Sequence, residues 1–157
     1  QMHRAGRWVW RGLSLRAPVP VPVAPSLADI DAVESTRWAV AMPDLFCVRN
    51  TTSEAYLDPT VYEIKVRRAD LLADVRRPEK RAAYLSLAGE CWYVLAEGIG
   101  DCKDVPEDCG VIVATPTALE TLRPAPRRVA RLPFATWMAL ARSSRCDFGD
   151  DEPQAML

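Results

Sequence analysis

The sequence predicts a single α/β domain in which helices pack on a mixed β-sheet. Three observations lead to this prediction: a length of 157 residues with 49% apolar content, an alternation of helix-like and strand-like segments, and fully apolar strands late in the chain. A chain of this size and composition can bury one core. Strands that are apolar throughout, such as CWYVLAEG and CGVIVAT, are typical of sheets covered on both faces.

The first residues are predicted to form an extended arm. Residues 7–16 alternate imperfectly between apolar and polar side chains, and the prolines of APVPVPVAP favour extended backbone. Because exposed tryptophans are costly, an arm packed on its own domain is favoured over an arm that binds a partner.

A short helix and a β-hairpin are expected next. Ser26 is suited to cap a helix over LADIDAVES. The strand-like segment RWAVAMPDLFCVRN, divided at Met42, is then followed by the strand TVYEIKV. The polar loop TTSEAYLDP between these segments predicts that they pair as a hairpin.

The remaining segments are predicted to be mainly helical. ADLLADV and PEKRAAYLSLAG are suited to helices, the second with a proline in its first turn, and PTALETLRPAP and LPFATWMALARSS are predicted helices. The acidic ending is predicted to be flexible. The predicted organisation is therefore an arm with a proline-rich linker (1–25), a folded domain (26–145) and an acidic tail (146–157).

Charge and hydropathy exclude several classes of protein. The formal net charge of −1 and a pI of about 5.9 give the whole chain no attraction to polyanions, so a nucleic-acid surface must come from local clustering. No apolar stretch reaches the ~18 residues of a membrane span, so we expect no membrane contact and a cytoplasmic location. Five scattered cysteines without a CxxC pair argue against a disulfide framework.

A carboxylate and an ammonium group lie one residue apart in the strand VYEIKV. Side chains at i and i+2 of a strand share a face, so Glu63 and Lys65 are neighbours and Ile64 is expected to point the opposite way, into the core. Asp44 is expected to lie across the hairpin from Glu63. Two carboxylates, the Ile64 carbonyl and waters would form the oxygen-rich site that Mg²⁺ or Mn²⁺ prefers. Beside such a metal Lys65 could orient water, which predicts phosphodiester hydrolysis.

These residues also resemble a known family. Pro43-Asp44, followed nineteen residues after Asp44 by Glu63-Ile64-Lys65, resembles the motif of the PD-(D/E)xK nuclease superfamily. The segments EIKVRRADLLADVRRPEK, DVPEDCGVIVAT, LETLRPAPRR and LPFATWMALAR further resemble its MmcB-like DNA-repair branch.

The resemblance implies a fold and a function. The fold would be a restriction-endonuclease-like α/β/α sandwich with a central mixed sheet. The function would be that of a Mg²⁺- or Mn²⁺-dependent nuclease acting on DNA in repair or processing. Asp44, Glu63 and Lys65 would be the catalytic residues, and Asp44, Glu63 and Ile64 the metal ligands.

A basic cluster after this strand is predicted to contact DNA. The basic residues are Lys65, Arg67, Arg68, Arg76, Arg77, Lys80 and Arg81, and those predicted to contact DNA are Arg67, Arg76, Arg77, Lys80 and Arg81. The cluster begins where a phosphate backbone would have to run, although interleaved acids also suit a merely solvated helix face. Lys80 and Tyr84 share a helix face. By the resemblance Lys80 would contact phosphate or support the site, and Tyr84 would stack on or hydrogen-bond to nucleic acid; a core aromatic is the alternative for Tyr84.

Two other functions stay open at this point. A strand that pairs a glutamate with a lysine is common on half-exposed sheets, so the domain could be a catalytically inert nucleic-acid-binding module on the same fold. It could also be a protein-interaction module, in which the segment RWVWRGLSLR and the proline arm bind a protein partner or a second copy of the chain.

Overall fold

The computed structural model of the chain describes residues 6–20 and 36–145. These residues form, in order, β1 (Arg7–Arg11), β2 (Leu15–Pro20), β3 (Thr36–Ala41), β4 (Leu45–Arg49), a 3-10 helix (Glu54–Tyr56), β5 (Thr60–Lys65), α1 (Arg68–Val75), α2 (Pro78–Leu87), β6 (Glu90–Ala96), β7 (Gly110–Ala114), β8 (Leu119–Arg123) and α3 (Phe134–Arg142). The helix predicted after Ser26, the boundary between residues 25 and 26, and the predicted tail 146–157 lie outside the described residues.

A mixed sheet of six strands forms the centre of the fold. Its strand order is β1-β4-β5-β6-β7-β8. The strands β5, β6 and β7 run parallel, and the outer pairs β1–β4, β4–β5 and β7–β8 are antiparallel. β2 and β3 form a separate two-stranded ribbon that contacts α2, and α3 contacts β2. The α/β class, the mixed sheet and the β4–β5 hairpin are therefore confirmed.

The two faces of the sheet differ in burial. Along β6 the side chains of Cys91, Tyr93 and Leu95 are buried, whereas those of Trp92 and Val94 are half-buried. Ile64 does point away from Glu63, but it is 44% exposed, so the expectation that it enters the core is wrong. The covered face is the one that carries Glu63, because the helices that follow β5 return across that side.

The helix predicted over PTALETLRPAP is wrong, because part of this segment forms β8. The backbone N–H of Thr115 donates to the carbonyl of Ala118 at 2.9 Å, and this turn directs the chain back along β7. The guanidinium of Arg123 then donates to carbonyl groups of the preceding loop, those of Cys102, Val105, Pro106 and Cys109. Pairing with β7 thus outweighs the local signals for a helix. The helices predicted over ADLLADV, PEKRAAYLSLAG and LPFATWMALARSS are confirmed as α1, α2 and α3.

Residues 7–20 are integrated into the fold. β1 is an edge strand of the large sheet, and Trp10 and Leu15 are 4% and 0% exposed. Trp8 is 37% exposed and lies 4.7 Å from the guanidinium of Arg145. Most apolar side chains of this segment are therefore packed inside the protein and are not free to bind a partner.

Among residues 6–20 and 36–145 there is no helix with both the length and the apolar content needed to cross a membrane.

We expect Phe46→Ala to lower the free energy of unfolding by about 3–5 kcal/mol, since Phe46 is 0% exposed and packs against Trp10. Phe134→Ala is the matched control, because Phe134 is 78% exposed and its loss should cost about 0.5 kcal/mol or less. Urea unfolding followed by circular dichroism measures both. Equal losses for the two variants would contradict the packing of β4.

Candidate functional site

The predicted site lies where β5 extends beyond the first residue of its antiparallel partner β4. The last paired residues are Leu45 and Tyr62, so the register places Asp44 opposite Glu63, one step beyond the ladder. Oδ2 of Asp44 accepts a hydrogen bond from the backbone N–H of Ile64 at 2.7 Å. The hairpin therefore brings Asp44 to the strand that carries Glu63 and Lys65.

Two oxygen atoms are available at this edge of β5. The N–H and C=O groups of one strand residue point to the same side, so the carbonyl of Ile64 also faces the edge that β4 leaves uncovered. Asp44 is exposed, and its second oxygen, Oδ1, has no hydrogen bond or ion pair to any residue that the structure describes.

The carboxylate of Glu63, in contrast, is buried and fully engaged. Glu63 is 3% exposed. Its Oε2 atom accepts from the ammonium groups of Lys65 at 2.7 Å and Lys80 at 3.2 Å. Its Oε1 atom accepts from the hydroxyl of Tyr84 at 2.5 Å. Two ammonium groups on one oxygen and a hydroxyl donor on the other explain how this carboxylate can lie inside the protein.

A second buried carboxylate, Asp74 of α1, shares the same two lysines. Its Oδ1 atom lies 2.5 Å from Nζ of Lys80 and 3.7 Å from Nζ of Lys65, and its Oδ2 atom accepts from the hydroxyl of Tyr93 at 2.8 Å. We call Glu63, Lys65, Asp74, Lys80, Tyr84 and Tyr93 the Glu63 network. Its two carboxylates and two ammonium groups give it a formal charge of zero.

Burial and close partners shift the pKa values of Asp74, Lys80 and Tyr84 within the network. Burial raises the pKa of Asp74, but the hydrogen bonds from Lys80 and Tyr93 and the charge of Lys65 outweigh it, so the pKa lies below its usual value. Burial lowers the pKa of Lys80, but its bond to Asp74 and the charge of Glu63 raise it overall. Burial and the hydrogen bond to Glu63 raise the pKa of Tyr84, which therefore stays protonated as a donor.

Helix periodicity explains how α1 and α2 supply these groups. Leu71 and Asp74 lie three residues apart on α1 and are both buried. Lys80 and Tyr84 lie four apart on α2, with the ammonium 5.2 Å from the centre of the ring.

The sequence interpretation did not assign Asp74 or Tyr93 to the site. An available signal for Asp74 was its position on the face of α1 that carries the apolar Leu71. No comparable signal existed for Tyr93, whose ring packs in the core while its hydroxyl meets a residue nineteen positions earlier in the chain.

The predicted DNA-contacting residues fall into two groups. Arg67, Arg76 and Arg77 are exposed and make no ion pair within the described part of the chain. Lys80 belongs to the Glu63 network, and Arg81 pairs with Asp108 at 3.2 Å. Tyr84 is 3% exposed, so it offers no face for a base, and its predicted contact with nucleic acid is replaced by its contact with Glu63.

A shallow groove adjoins the network at Lys80. It has a volume of about 280 Å³ and is lined by Val40, Met42, Arg77, Glu79 and Lys80. Lys80 also contacts Glu63 and Asp74, so one residue of the groove lining belongs to the network.

The oxygen atoms near Asp44 are of the type that binds a hard divalent cation, but Glu63 would have to lose an existing ion pair to bind one. Asp44, Glu63 and the carbonyl of Ile64 supply the oxygen ligands that Mg²⁺ prefers. Within residues 6–20 and 36–145 there is no ready group of three or more acidic, histidine or cysteine side chains. Glu63 would have to release an ammonium group to bind a metal, and Lys80 is the more distant of its two lysines.

Comparison with known proteins shows the fold alone. No protein-family model matches the chain, and no curated protein matches it. Among solved structures it is similar to a protein of unknown function from Silicibacter pomeroyi, with a TM-score of 0.52 and 17% identity. The similarity covers 90% of this chain and 73% of the other.

We expect Asp74→Asn to lower the free energy of unfolding by about 3 kcal/mol at pH 7, because Lys65 and Lys80 would keep one carboxylate between them. The pKa of Asp74 is lowered by folding, so its contribution is present above its usual value of about 4 and is lost as the pH falls through the folded value. The wild type should therefore lose more stability on acidification than Asp74→Asn does.

Urea unfolding at pH 7 and near pH 3 measures both effects. Asp70→Asn, at an exposed position on the same helix, is the control and should leave stability nearly unchanged. If Asp74→Asn unfolds like this control, the Glu63 network does not stabilise the fold.

Proposed function

We propose that this protein is a metal-dependent nuclease of the PD-(D/E)xK type, with a restriction-endonuclease-like fold, that hydrolyses phosphodiester bonds in DNA during repair or processing. The observation that carries the proposal is the hydrogen bond from the backbone of Ile64 to Asp44. It holds a solvent-facing carboxylate at the edge of the strand on which Glu63 and Lys65 point toward the helices.

The proposal assigns a role to each group. Asp44, Glu63 and the carbonyl of Ile64 would bind Mg²⁺ or Mn²⁺, which would activate water and polarise a phosphoryl oxygen. Lys65 would hold the attacking water and stabilise negative charge on the phosphate. The hydroxyl of Tyr84 keeps the Oε1 side of Glu63 in a fixed orientation.

Charge around the site supports a DNA substrate. Arg67, Arg76 and Arg77 flank the helices of the site and have no acidic partner among the described residues. Such arginines can neutralise phosphates along a backbone. Arg67 at the start of α1 and Arg76 and Arg77 at its end supply local positive charge, which the chain as a whole, with a net charge of −1, lacks.

A specific observation also favours a second function, that of a catalytically inert nucleic-acid-binding module. Both oxygens of Glu63 already have charged or hydroxyl donors, and two ammonium groups balance the two carboxylates of the network. If this neutral arrangement persists in solution, a cation gains little at the site. The basic surface would then bind DNA without cleaving it.

Asp44→Asn tests the choice between these functions. The exposed position should tolerate the change, and cleavage should fall by about a hundredfold or more because a charged metal ligand is lost. Cleavage of labelled single-stranded and duplex DNA is measured with Mg²⁺, Mn²⁺ or EDTA. Mn²⁺ binding, followed by electron paramagnetic resonance without DNA, should weaken in parallel.

Asp70→Asn is the matched control and should cleave DNA within about twofold of the wild type. Cleavage that persists in EDTA, or that is equal in Asp44→Asn and wild type, would refute the metal site. DNA binding with no product and no bound Mn²⁺ would establish the inert module instead.

A further inference from the structure

The outer face of the β2–β3 ribbon carries a strip of exposed apolar side chains. Trp38 is 50% exposed, Val40 is 65% exposed and Met42 is 59% exposed. Alternation along β3 directs Ala39 and Ala41 to the opposite face, where Ala41 is 0% exposed. A continuous exposed strip of this kind usually marks a binding surface.

Two arginines border this strip. Arg16 lies directly across the ribbon from Val40, and Arg77 lines the groove together with Val40 and Met42. Both arginines are exposed, and neither pairs with an acid among the residues that the structure describes. Glu79 is the one acidic residue of the groove lining. The surface is therefore both apolar and positively charged.

The strip leads to the candidate site. The hydroxyl oxygen of Tyr84 lies 2.9 Å from the carbonyl oxygen of Met42 and 2.5 Å from Oε1 of Glu63, so both acceptors share its one proton. Asp44 follows Met42 two residues later in the chain. An extended ligand bound along Trp38, Val40 and Met42 would therefore reach the edge of β5 at Asp44.

We propose that the outer face of β3 binds single-stranded DNA, with a base stacked on Trp38 and phosphates on Arg16 and Arg77. The inference rests on the proposed nuclease function and names its substrate class. An apolar strip between cationic groups suits unstacked bases joined by phosphates. In a duplex the faces of the bases are covered by their neighbours, so Trp38 and Val40 would find no partner there.

Charge argues against a second copy of the chain as the occupant. In a symmetric dimer the same patch meets itself, so the arginines of one copy would approach those of the other. Glu79 alone cannot balance Arg16 and Arg77. A polyanion meets no such repulsion.

Fluorescence anisotropy in EDTA tests binding apart from cleavage. The probes are a labelled oligothymidylate of about 15 nucleotides and a labelled duplex of equal length. We expect the single strand to bind more tightly. Trp38→Ala should weaken its binding by about 5-fold to 100-fold without changing the salt dependence, and Trp38→Phe should restore most of the affinity. Arg77→Gln should reduce the slope of log K against log salt by about 0.7.

Matched controls lie away from the ribbon. Tyr56→Ala removes an aromatic side chain that is 63% exposed, and Arg131→Gln removes an exposed guanidinium. Both should bind the single strand like the wild type. Circular dichroism establishes that each variant is folded.

The outcomes separate this inference from the nuclease proposal. Equal or tighter binding of duplex, or full affinity in Trp38→Ala, overturns the single-strand surface even if the wild type cleaves DNA. Self-association that Trp38→Ala abolishes, measured by analytical ultracentrifugation, also overturns it. Single-strand binding that depends on Trp38 supports the surface even if no cleavage is seen.

Discussion

The burial of Glu63 is the constraint on which the candidate site depends. A carboxylate that is 3% exposed is tolerable only with charged or hydrogen-bonding partners, and these come from β5 itself and from α2. Lys80 and Lys65 then reach Oδ1 of Asp74 on α1, and Tyr93 of β6 donates to its other oxygen, Oδ2. The network thus links two strands and two helices, and it fixes how the helices sit on the sheet.

The same contacts give the site two opposing tendencies. Lys65, Lys80 and Tyr84 hold Glu63 in one orientation, which favours a preorganised metal ligand. They also neutralise it, which weakens its attraction for a cation. The charge of Asp44 is not neutralised in this way. Its hydrogen bond comes from a neutral backbone amide, and the residue is exposed to solvent. A divalent cation must therefore compete with the ammonium groups of Lys65 and Lys80 for the carboxylate of Glu63.

The ribbon of β2 and β3 lies beside the candidate site. Its inner face contacts α2, and its outer face exposes Trp38 and Val40 beside Arg16. The groove between β3 and the start of α2 joins this outer face to Lys80. The proposed binding surface and the proposed metal site therefore lie next to each other, with Lys80 common to the groove and to the Glu63 network.

Local pattern determined much of this protein: the α/β class, the three helices, the β4–β5 hairpin, and the shared face of Glu63 and Lys65, because periodicity and turn residues act over a few positions. The restriction-endonuclease-like sandwich stays a prediction. Tertiary structure decided that β8 pairs with β7, that Ile64 is exposed, and that Asp74 and Tyr93 meet around the lysines. These features depend on contacts between distant segments, whose free energy is set by the packing of the whole sheet and cannot be read from neighbouring residues.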